Sequence, residues 1–590
     1  MPGWRSAKEA DEGNMQLPLL DCLSPRDENK DIASMVAPLR RSLLTRVTRN
    51  PYVAGAVPTL GGLIFGCDIS SMSAQWDNAT FLSKMGHPSS LRQGGITAAM
   101  PAGSLAGALV NSWLADKIGR KKCILSGWIW VVGCIIMAVA QDVRTLIAGR
   151  VVGGFAVGIA SAIVTVYQAE IAKPSMRGKI VSIQQLSIMS GIMVQFFVSF
   201  GFAQTAGDLS WRAPFGLMAI PGAMLGSIML IFPESPRWLM DRDRNEEALQ
   251  ILGDVHAAGD TEDALVRLEY NEIRKQIDFD RTQAARSYKD LFAPDVRLRV
   301  LIGMSDQMWS QLSGMNGANP RFLGGWLRTL HVMMYYILFV FQAAGLQGRQ
   351  ANLIASSVQY SLGVAFTIPT VFLIDRLGRR PLLFGGAISM ASCLIIVGSL
   401  TAAFGHAVDG AGAATTVTWV VEGHPAVRNA IIVFSYLFVC SFASTWGPCS
   451  WTYASELTPL RVRAKAVSFA TATNWTFNFI LSMTTPLAFH NIRYGVYFLY
   501  ASFNIMAATQ VWFMFRETKG YSLEQIDEVF ARGHPFKAWQ VPQDMVPTKD
   551  LQKDLEGRHL DDAHVDSQLE EKDEKGEFAH VERAPSSALA

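Results

Sequence analysis

The chain has 590 residues, of which half are apolar, only 17% are charged, and the formal net charge is +2. Soluble domains typically carry about 25% charged residues, so this composition points to a membrane protein. The small net charge argues against a nucleic-acid partner. The seven cysteines show no CxxC spacing, and we predict neither a disulfide framework nor a metal site.

Residues 1–50 are polar and lack the apolar core of a cleavable signal peptide, so we predict an N-terminal tail there. A bilayer-spanning helix needs roughly 20 mostly apolar residues. Twelve runs of this kind follow, which predicts an all-α membrane protein with twelve transmembrane helices. The runs lie near 52–73, 94–115, 123–140, 146–169, 180–203, 213–232, 298–345 (interrupted), 351–374, 382–404, 429–453, 465–489 and 494–515.

Lysine and arginine are concentrated after the even-numbered runs, for example from Lys117 to Lys122 and from Arg376 to Arg380. The positive-inside rule then places these connections and both termini in the cytoplasm. The polar segment 234–297 becomes a cytoplasmic linker, and its spacing of charged residues and Leu/Ile predicts short amphipathic helices. Residues 516–590 form a C-terminal tail, which is strongly acidic from Val541 onward.

Three motifs occur twice, six spans apart. WLADKIGRKK (113–122) returns as FLIDRLGRRP (372–381), YQAEIAKPSMRGK (167–179) returns as YASELTPLRVRAK (453–465), and FPESPRW (232–238) has a weaker echo in FRETKGYS (515–522). Parallel repeats of six spans are typical of the two halves of major-facilitator transporters. We therefore predict two six-helix bundles, at 51–233 and 298–515.

The repeated motifs carry acids and bases at the predicted helix ends. Acid–base pairs are expected between Asp116 and Arg120, Glu170 and Arg177, Asp375 and Arg379, and Glu456 and Arg463. Such clusters would close the cytoplasmic side and break when it opens, and we assign Glu234, Arg237 and Glu517 to the same gate. The alternative is that these residues only orient the helices and snorkel to the interface. The fixed spacing in both halves favours a gate.

The motifs together resemble those of sugar porters of the major facilitator superfamily, and within them fungal high-affinity monosaccharide transporters. The resemblance rests on GGLIFGCDISSMSAQ, LADKIGRKK, YQAEIAKPSMRG, PESPRWL, SQLSGMN…YY, DRLGRRP, FASTWGPCSWTYASE, RVRAKA, NWTFNF and ETKG, in the family's order from about Gly61 to Gly520. It implies the major facilitator fold, a central sugar site and alternating access. The choice of sugar stays open for two reasons. Ser310 stands before Gln311, and Gly363 and Ala443 occupy positions where animal relatives carry Asn and Glu.

Amide side chains within the spans are candidate sugar ligands because one head group carries both a donor and an acceptor. Asn474 and Asn478 are four residues apart and share a helical face. Gln311 and Asn316 are five apart, so they converge only if the helix breaks, which we place at Ser313-Gly314. Helix–helix hydrogen bonding is the alternative role of any single amide. The resemblance maps sugar contacts onto Gln185, Gln311, Asn316, Asn478 and Trp451, with Phe442, Tyr335 and Tyr336 lining the cavity.

Energy coupling is expected at Asp68 in the first span. An isolated carboxylate there is costly, so it should ionise only when paired or wetted, and Arg150 is its predicted counter-charge. Proton-coupled sugar porters carry an acid and an arginine at the matching places. The resemblance therefore implies that protonation of Asp68 loosens the pair. A static structural ion pair is the alternative.

Residues 317–331 interrupt the seventh span directly after Asn316. Deleting Gly317 to His331 leaves SQLSGMNVMMYYI, which fits the family pattern. The segment either loops into a water-filled cavity or is absent from the working protein, and we favour its absence. Arg321 and Arg328 would each cost at least about 2.5 kcal/mol at bilayer depth if unpaired.

The predicted function is proton-coupled symport of a monosaccharide, such as glucose, in the plasma membrane. A transporter-like sugar sensor, or a porter of quinate, a polyol or a disaccharide, remains an alternative. No catalytic constellation or selectivity filter is found, so neither an enzyme nor a channel is predicted. The expected partners are sugar, protons and the lipid bilayer, with a regulatory protein possible at the tails. We expect a monomer without a cofactor. Asn78-Ala79-Thr80 is a glycosylation sequon on the predicted outer side.

Overall fold

Helices occupy the positions of the predicted apolar runs wherever the computed structural model describes them. It describes residues 50–72, 75–172, 177–257, 259–283, 291–294, 296–313, 349–407, 419–459, 462–492, 494–521, 523–532 and 537–538. They belong to one unit, Thr48–Ala590. The predicted sugar contacts Asn316, Tyr335 and Tyr336 lie outside the described residues, as does the segment 317–331.

The described helices are numbered in chain order. The first ten are Pro51–Ala56 (α1), Leu60–Ser71 (α2), Ala79–Lys84 (α3), Ser90–Ile118 (α4), Arg120–Ile124 (α5), Gly127–Val139 (α6), Val143–Ile171 (α7), Arg177–Phe202 (α8), Leu209–Leu217 (α9) and Ala219–Ile228 (α10). Three more fill the linker: Pro236–Asp241 (α11), Asn245–His256 (α12) and Ala264–Gln283 (α13). Short 3-10 helices lie at Val57–Thr59 and Gln75–Asp77.

The remaining elements are Arg297–Leu312 (α14), Arg349–Leu377 (α15), Arg379–Phe404 (α16), Pro425–Ser444 (α17), Trp446–Glu456 (α18), Arg463–Asn491 (α19), Gly495–Met514 (α20) and Leu523–Arg532 (α21). Strands His406–Ala407 (β1) and Trp419–Val420 (β2) pair antiparallel, with His406 opposite Val420. Helix α14 ends at Leu312 with Ser313 as its C-cap. The predicted break at Ser313-Gly314 stays a prediction, because Gly314 lies outside the described residues.

Seven helical stretches among the described residues are long and apolar enough to cross a membrane. They are Val53–Ser71, Arg120–Val139, Val143–Ile171, Gly178–Phe202, Ala355–Leu377, Arg379–Phe404 and Pro425–Glu456. The predicted sixth run is covered by helices of 9 and 10 residues, each too short alone. The 16-residue α14 covers only the start of the seventh run, and the rest of that run lies outside the described residues. Large apolar side chains stay on the outside, such as Val139 and Phe372, each 58% exposed. This pattern is expected for helices in contact with lipid.

Glycines bring α4 and α7 into backbone contact. A Cβ atom on Gly154 would lie 2.2 Å from the carbonyl oxygen of Met100, and one on Gly158 would lie 2.0 Å from that of Ser104. The Gly-xxx-Gly spacing on α7 is met by the same spacing on α4, at Gly103 and Gly107. Small residues four apart let membrane helices approach closely, so these two helices form a rigid pair.

Polar contacts connect the first ten helices to the helices after the linker. Helix α4 packs along α19, and α8 packs along α15. Asn111 Nδ2 donates to Ser468 Oγ at 3.1 Å, and the Trp475 indole donates to Ser161 Oγ at 3.1 Å. All four residues are buried, so these hydrogen bonds fix the contact between the two parts of the chain.

The linker segment 234–297 contains the helices α11, α12 and α13. On α12, Ile251, Leu252 and Val255 are buried. The Arg237 guanidinium lies 3.7 Å from the Glu269 carboxylate of α13, which also lies 2.8 Å from His256 Nδ1. Because the other His256 ring nitrogen contacts the carbonyl oxygen of Ile171 at 3.1 Å, the linker is attached to the end of α7.

The Asn78 sequon is part of the folded core rather than an open acceptor. The Asn78 side chain accepts hydrogen bonds from the N–H groups of Thr80 and Phe81 and donates to Ser210 Oγ at 3.0 Å. It is 5% exposed and begins α3 as the N-cap residue. We therefore expect the folded protein to carry no glycan at Asn78.

Candidate functional site

A cavity lies among six helices, with about 430 Å³ of empty space that includes the solvent at its mouth. The lining is mainly apolar with a few polar groups, and comes from α2, α8, α14, α17, α18 and α19. It comprises Phe65, Ile69, Gln185, Ile188, Met189, Ile192, Ser310, Gln311, Phe442, Gly447, Trp451 and Asn474.

Three buried amides form a hydrogen-bonded group at this cavity. Gln311 Nε2 donates to Asn474 Oδ1, and Asn478 Nδ2 donates to Gln311 Oε1 at 3.2 Å. Asn474 Nδ2 is buried without a hydrogen-bond partner in the described part of the chain. A buried donor without a partner is costly, so a ligand hydroxyl that accepts from Asn474 would relieve that cost.

Gln185 reaches the cavity from the opposite side. Its side chain lies against Gly447, where a Cβ atom would come within 2.9 Å of Gln185 Nε2. Gly447 therefore makes room for the amide. Trp451 and Phe442 line the same cavity, and the Phe65 ring meets Trp451 edge-on with centroids 6.2 Å apart. Aromatic faces and amides together suit a molecule with hydroxyl groups and apolar C–H faces.

The sequence prediction missed part of this lining. Phe65 and Ile69 lie near Asp68 on α2, three residues before it and one after it, so helical spacing offered a clue to them. Ile188, Met189 and Ile192 lie three to seven residues after Gln185, so they follow its helix face. The role of Gly447 had no comparable signal, because it depends on how α18 crosses α8.

Asp68 and Arg150 are in contact inside the protein. Arg150 Nη1 lies 3.4 Å from Asp68 Oδ1, and it donates to Ser71 Oγ at 3.1 Å. Asp68 has no exposed surface, and its second oxygen has no partner among the described residues. Because Phe65 and Ile69 flank Asp68 on the same helix, a change at this ion pair reaches the cavity wall directly.

The first charge cluster, as we name it, comprises Arg120, Glu170, Asp116, Glu234 and Ser235. Arg120 binds both oxygens of Glu170, at 3.1 and 3.2 Å, and lies 3.7 Å from Asp116 Oδ1. Ser235 Oγ donates to Glu170 Oε2 at 2.6 Å. Glu234 accepts from the backbone N–H of Arg120 at 2.9 Å, at the start of α5. Burial raises the pKa of the Glu234 carboxyl, and its N–H donors oppose that rise.

The same arrangement recurs in the second charge cluster, formed by Arg379, Glu456, Asp375, Glu517 and Thr518. Arg379 binds both oxygens of Glu456, at 3.2 and 2.8 Å, and lies 2.9 Å from Asp375 Oδ1. Thr518 Oγ1 donates to Glu456 Oε2 at 2.7 Å. Glu517 accepts from the N–H of Arg379 at 2.9 Å, at the start of α16.

A glycine precedes each of these arginines for a geometric reason. Gly119 has φ 97° and Gly378 has φ 94°, which L side chains rarely adopt. A Cβ atom on Gly119 would lie 2.3 Å from Glu234 Oε2, and one on Gly378 would lie 2.5 Å from Glu517 Oε2. Each glycine thus lets a carboxylate reach the N–H groups at a helix start, where the helix dipole stabilises negative charge.

Each cluster contacts a helix from the other part of the chain. Lys465 Nζ of α19 lies 3.3 Å from Asp116 Oδ2 of the first cluster. In the second cluster, Asp375 Oδ2 accepts from the backbone N–H of Lys179 on α8 at 2.9 Å. The aspartate of each cluster therefore binds a helix of the other part of the chain: Asp116 binds α19 and Asp375 binds α8.

Some predicted partners differ from those found. The carboxylate of Glu170 binds Arg120, and that of Glu456 binds Arg379. Each arginine is within reach because its helix packs beside the helix that carries the glutamate. The Arg177 side chain lies outside the described residues. Arg463 donates to the carbonyl oxygen of Thr458 at 3.1 Å and lies within electrostatic range of Glu170. Arg237, expected beside Glu234 in the gate, extends to Glu269 of the linker.

Residues 55–530 match the family described as sugar (and other) transporter. The chain belongs to this family. It is 41% identical to the MFS glucose transporter mfs1 of Aspergillus flavus, over 86% of this chain and 94% of the relative. It is 38% identical to a high-affinity glucose transporter of Kluyveromyces lactis, over 87% and 92% of the two chains.

Among solved structures, this sugar transporter resembles the proton:xylose symporter XylE of E. coli bound to 6-bromo-6-deoxy-D-glucose. The TM-score is 0.68 at 25% identity, over 81% of this chain and 98% of XylE. The family and these relatives are multi-pass membrane transporters rather than enzymes. The chain is therefore a sugar transporter of the major facilitator superfamily.

Proposed function

We propose that this sugar transporter moves a monosaccharide, such as glucose, together with a proton across the plasma membrane. The proposal includes twelve spans in two six-helix bundles, cytoplasmic termini and a monomeric transporter. The cavity supports the sugar part, because the amides Gln185, Gln311 and Asn474 line it together with the aromatic Trp451. The names of the relatives, which are glucose transporters, support the choice of glucose.

The observation that carries proton coupling is the position of the Asp68–Arg150 pair. Both side chains are almost completely buried, and Arg150 lies 3.4 Å from the Asp68 carboxyl group. Protonation would remove that attraction and leave Arg150 held by Ser71. Since α2 carries both Asp68 and the cavity residues Phe65 and Ile69, the loosened helix could then close over bound sugar.

The charge clusters act as the cytoplasmic gate in this proposal. Their aspartates hold the facing helices through Lys465 and the N–H of Lys179. When these two contacts break, each Arg–Glu pair can stay intact within its own half. The gate would therefore open by separating two preformed units, in the rocking motion expected of parallel repeats.

The proposal is tested with purified protein in liposomes. An inward proton gradient should concentrate labelled glucose inside, and a proton ionophore should abolish the accumulation without stopping equilibration. Unlabelled hexoses should compete better than quinate, polyols or disaccharides. Equilibration that a proton gradient never converts into accumulation would overturn symport, and preferential competition by a polyol would overturn the choice of hexose.

A sugar sensor is the alternative, and the named glucose transporters among the relatives favour transport over it. A sensor would signal without moving sugar, so measurable glucose flux through the purified protein separates the two.

A further inference from the structure

Helix α14 contains a buried carboxyl group that the proposed mechanism does not use. Asp306 has no exposed surface, and neither of its carboxyl oxygens has a hydrogen-bond partner in the part of the chain that the structure describes. The neighbouring Gln307 is 1% exposed, and both polar atoms of its amide are also without partners there. Two adjacent unsatisfied side chains inside a membrane protein are rare and commonly functional.

The helices packed against α14 bring no cation to the level of Asp306 within their described ranges. Helices α18, α19 and α20 pack against α14. Helix α20 has no charged residue, and α19 has none between Lys465 and His490. On α18, Cys449 and Tyr453 lie within electrostatic range of Asp306. The other titratable groups at these elements are Glu456, Arg463, Tyr497, Tyr500, Arg516 and Glu517.

The nearest basic residues along these helices are engaged elsewhere. Arg299, two turns earlier on α14, binds Asp527 of α21, and Lys465 binds Asp116. An ionised carboxylate buried without a cation or donor carries a desolvation cost so large that such groups take up a proton instead. Asp306 is therefore a neutral carboxylic acid in this conformation, and unlike Asp68 it has no arginine beside it among the described residues.

Asp306 lies one helical turn from the cavity. Ser310 and Gln311 line the cavity, and they follow Asp306 and Gln307 by four residues each, so the two polar pairs lie above one another on α14. The turn with Asp306 is the one nearer to Arg299 and the charge clusters. Separation of the clusters would therefore let water reach the carboxyl.

We propose that Asp306 is a second proton-binding site of this transporter, protonated while the clusters are closed and able to exchange its proton once they part. If the proton leaves, the carboxylate cannot be buried again without a cation, so the gate cannot close until Asp306 is reprotonated. The site thus makes the return step depend on pH at the gate side. This inference rests on the proposed alternating access, but not on the role of Asp68.

The first test asks whether the proton is there. Infrared spectra of the purified full-length protein and of Asp306→Asn should differ by the carbonyl stretch of a protonated carboxylic acid, at a pH where exposed carboxyls are ionised. Asp208→Asn, at an exposed ion pair, should leave that band unchanged. A wild-type spectrum that differs from Asp306→Asn only by carboxylate bands would overturn the proposal.

The second test asks whether the proton moves. Counterflow of labelled glucose is measured in liposomes with equal pH on both sides, so no proton gradient is needed. Asp68 would itself titrate in the wild type, so rates are compared in the Asp68→Asn background. There the rate should fall at alkaline pH by up to about tenfold per unit, as the protonated fraction of one site does. Adding Asp306→Asn should remove that decline. An equally steep decline after this addition would show that Asp306 does not exchange its proton. Failure of gradient-driven accumulation, by contrast, would refute symport and leave both tests of Asp306 standing.

Discussion

Asp116 on α4 and Lys465 on α19 form an ion pair with 3.3 Å between Oδ2 and Nζ, across the two parts of the chain. Asp116 is 36% exposed at its side chain, so solvent weakens the pair. Exposed ion pairs typically contribute about 0.2–1 kcal/mol. That range is enough to bias a gate without locking it.

Asp116→Asn should therefore increase opening of the gate by up to about fivefold. Ser182 is fully buried near the start of α8, so Ser182→Cys can report opening through its rate of labelling by a membrane-impermeant thiol reagent. The protein with only its native cysteines gives the background. Asp208→Asn, which breaks the exposed pair with Arg212, is the matched control and should leave the labelling rate unchanged. Equal rates in the Asp116 and Asp208 variants would contradict a gate at Asp116.

The buried Arg379–Glu456 pair should behave differently. Both side chains are 2% exposed, so removing one partner leaves an uncompensated buried charge, which costs about 3–5 kcal/mol. Glu456→Leu or Arg379→Leu should lower the thermal unfolding temperature in detergent strongly. The double variant should be less destabilised than the sum of the two. Additive losses would show that the pair is not coupled.

These clusters show what the sequence could predict. Asp116 and Arg120, like Asp375 and Arg379, are four residues apart, so their closeness in sequence predicted the contact, although a glycine with positive φ separates the two helices that carry them. The partners of Glu170 and Glu456 could not be chosen in the same way, because the selected arginines come from other helices. Helical spacing predicts Asn474 and Asn478 on one face, and both hydrogen-bond to Gln311. The Gly447–Gln185 contact, by contrast, depends on a helix crossing that no spacing encodes.

Gln311→Leu tests the amide group. It removes the acceptor of Asn478 and the donor to Asn474, and it removes amide contacts available to sugar. Leaving buried polar groups unpaired costs about 1–3 kcal/mol, so KM for glucose should rise roughly 5- to 150-fold. Gln510→Leu is the control, because Gln510 contacts Trp309 and Ser305 away from the cavity lining. It should alter stability but not KM. A similar rise in KM for both would contradict a sugar site at Gln311.

Deletion of residues 317–331 tests the interpretation of the interrupted span. If the segment is absent from the working transporter, the shortened chain should transport glucose faster than the full chain, because Asn316 then precedes VMMYY directly. Initial uptake rates at equal surface expression measure this. Faster uptake by the full chain would show that the segment belongs to the transporter. Each transport variant is therefore compared in both forms.

The central claim is that Asp68 couples protons to sugar, and Asp68→Asn tests it most directly. The amide cannot ionise, so the variant should equilibrate labelled glucose but no longer concentrate it in liposomes with an inward proton gradient. Asp68→Glu, which keeps a carboxyl, should retain part of the accumulation. Undiminished gradient-driven accumulation by Asp68→Asn would contradict the account.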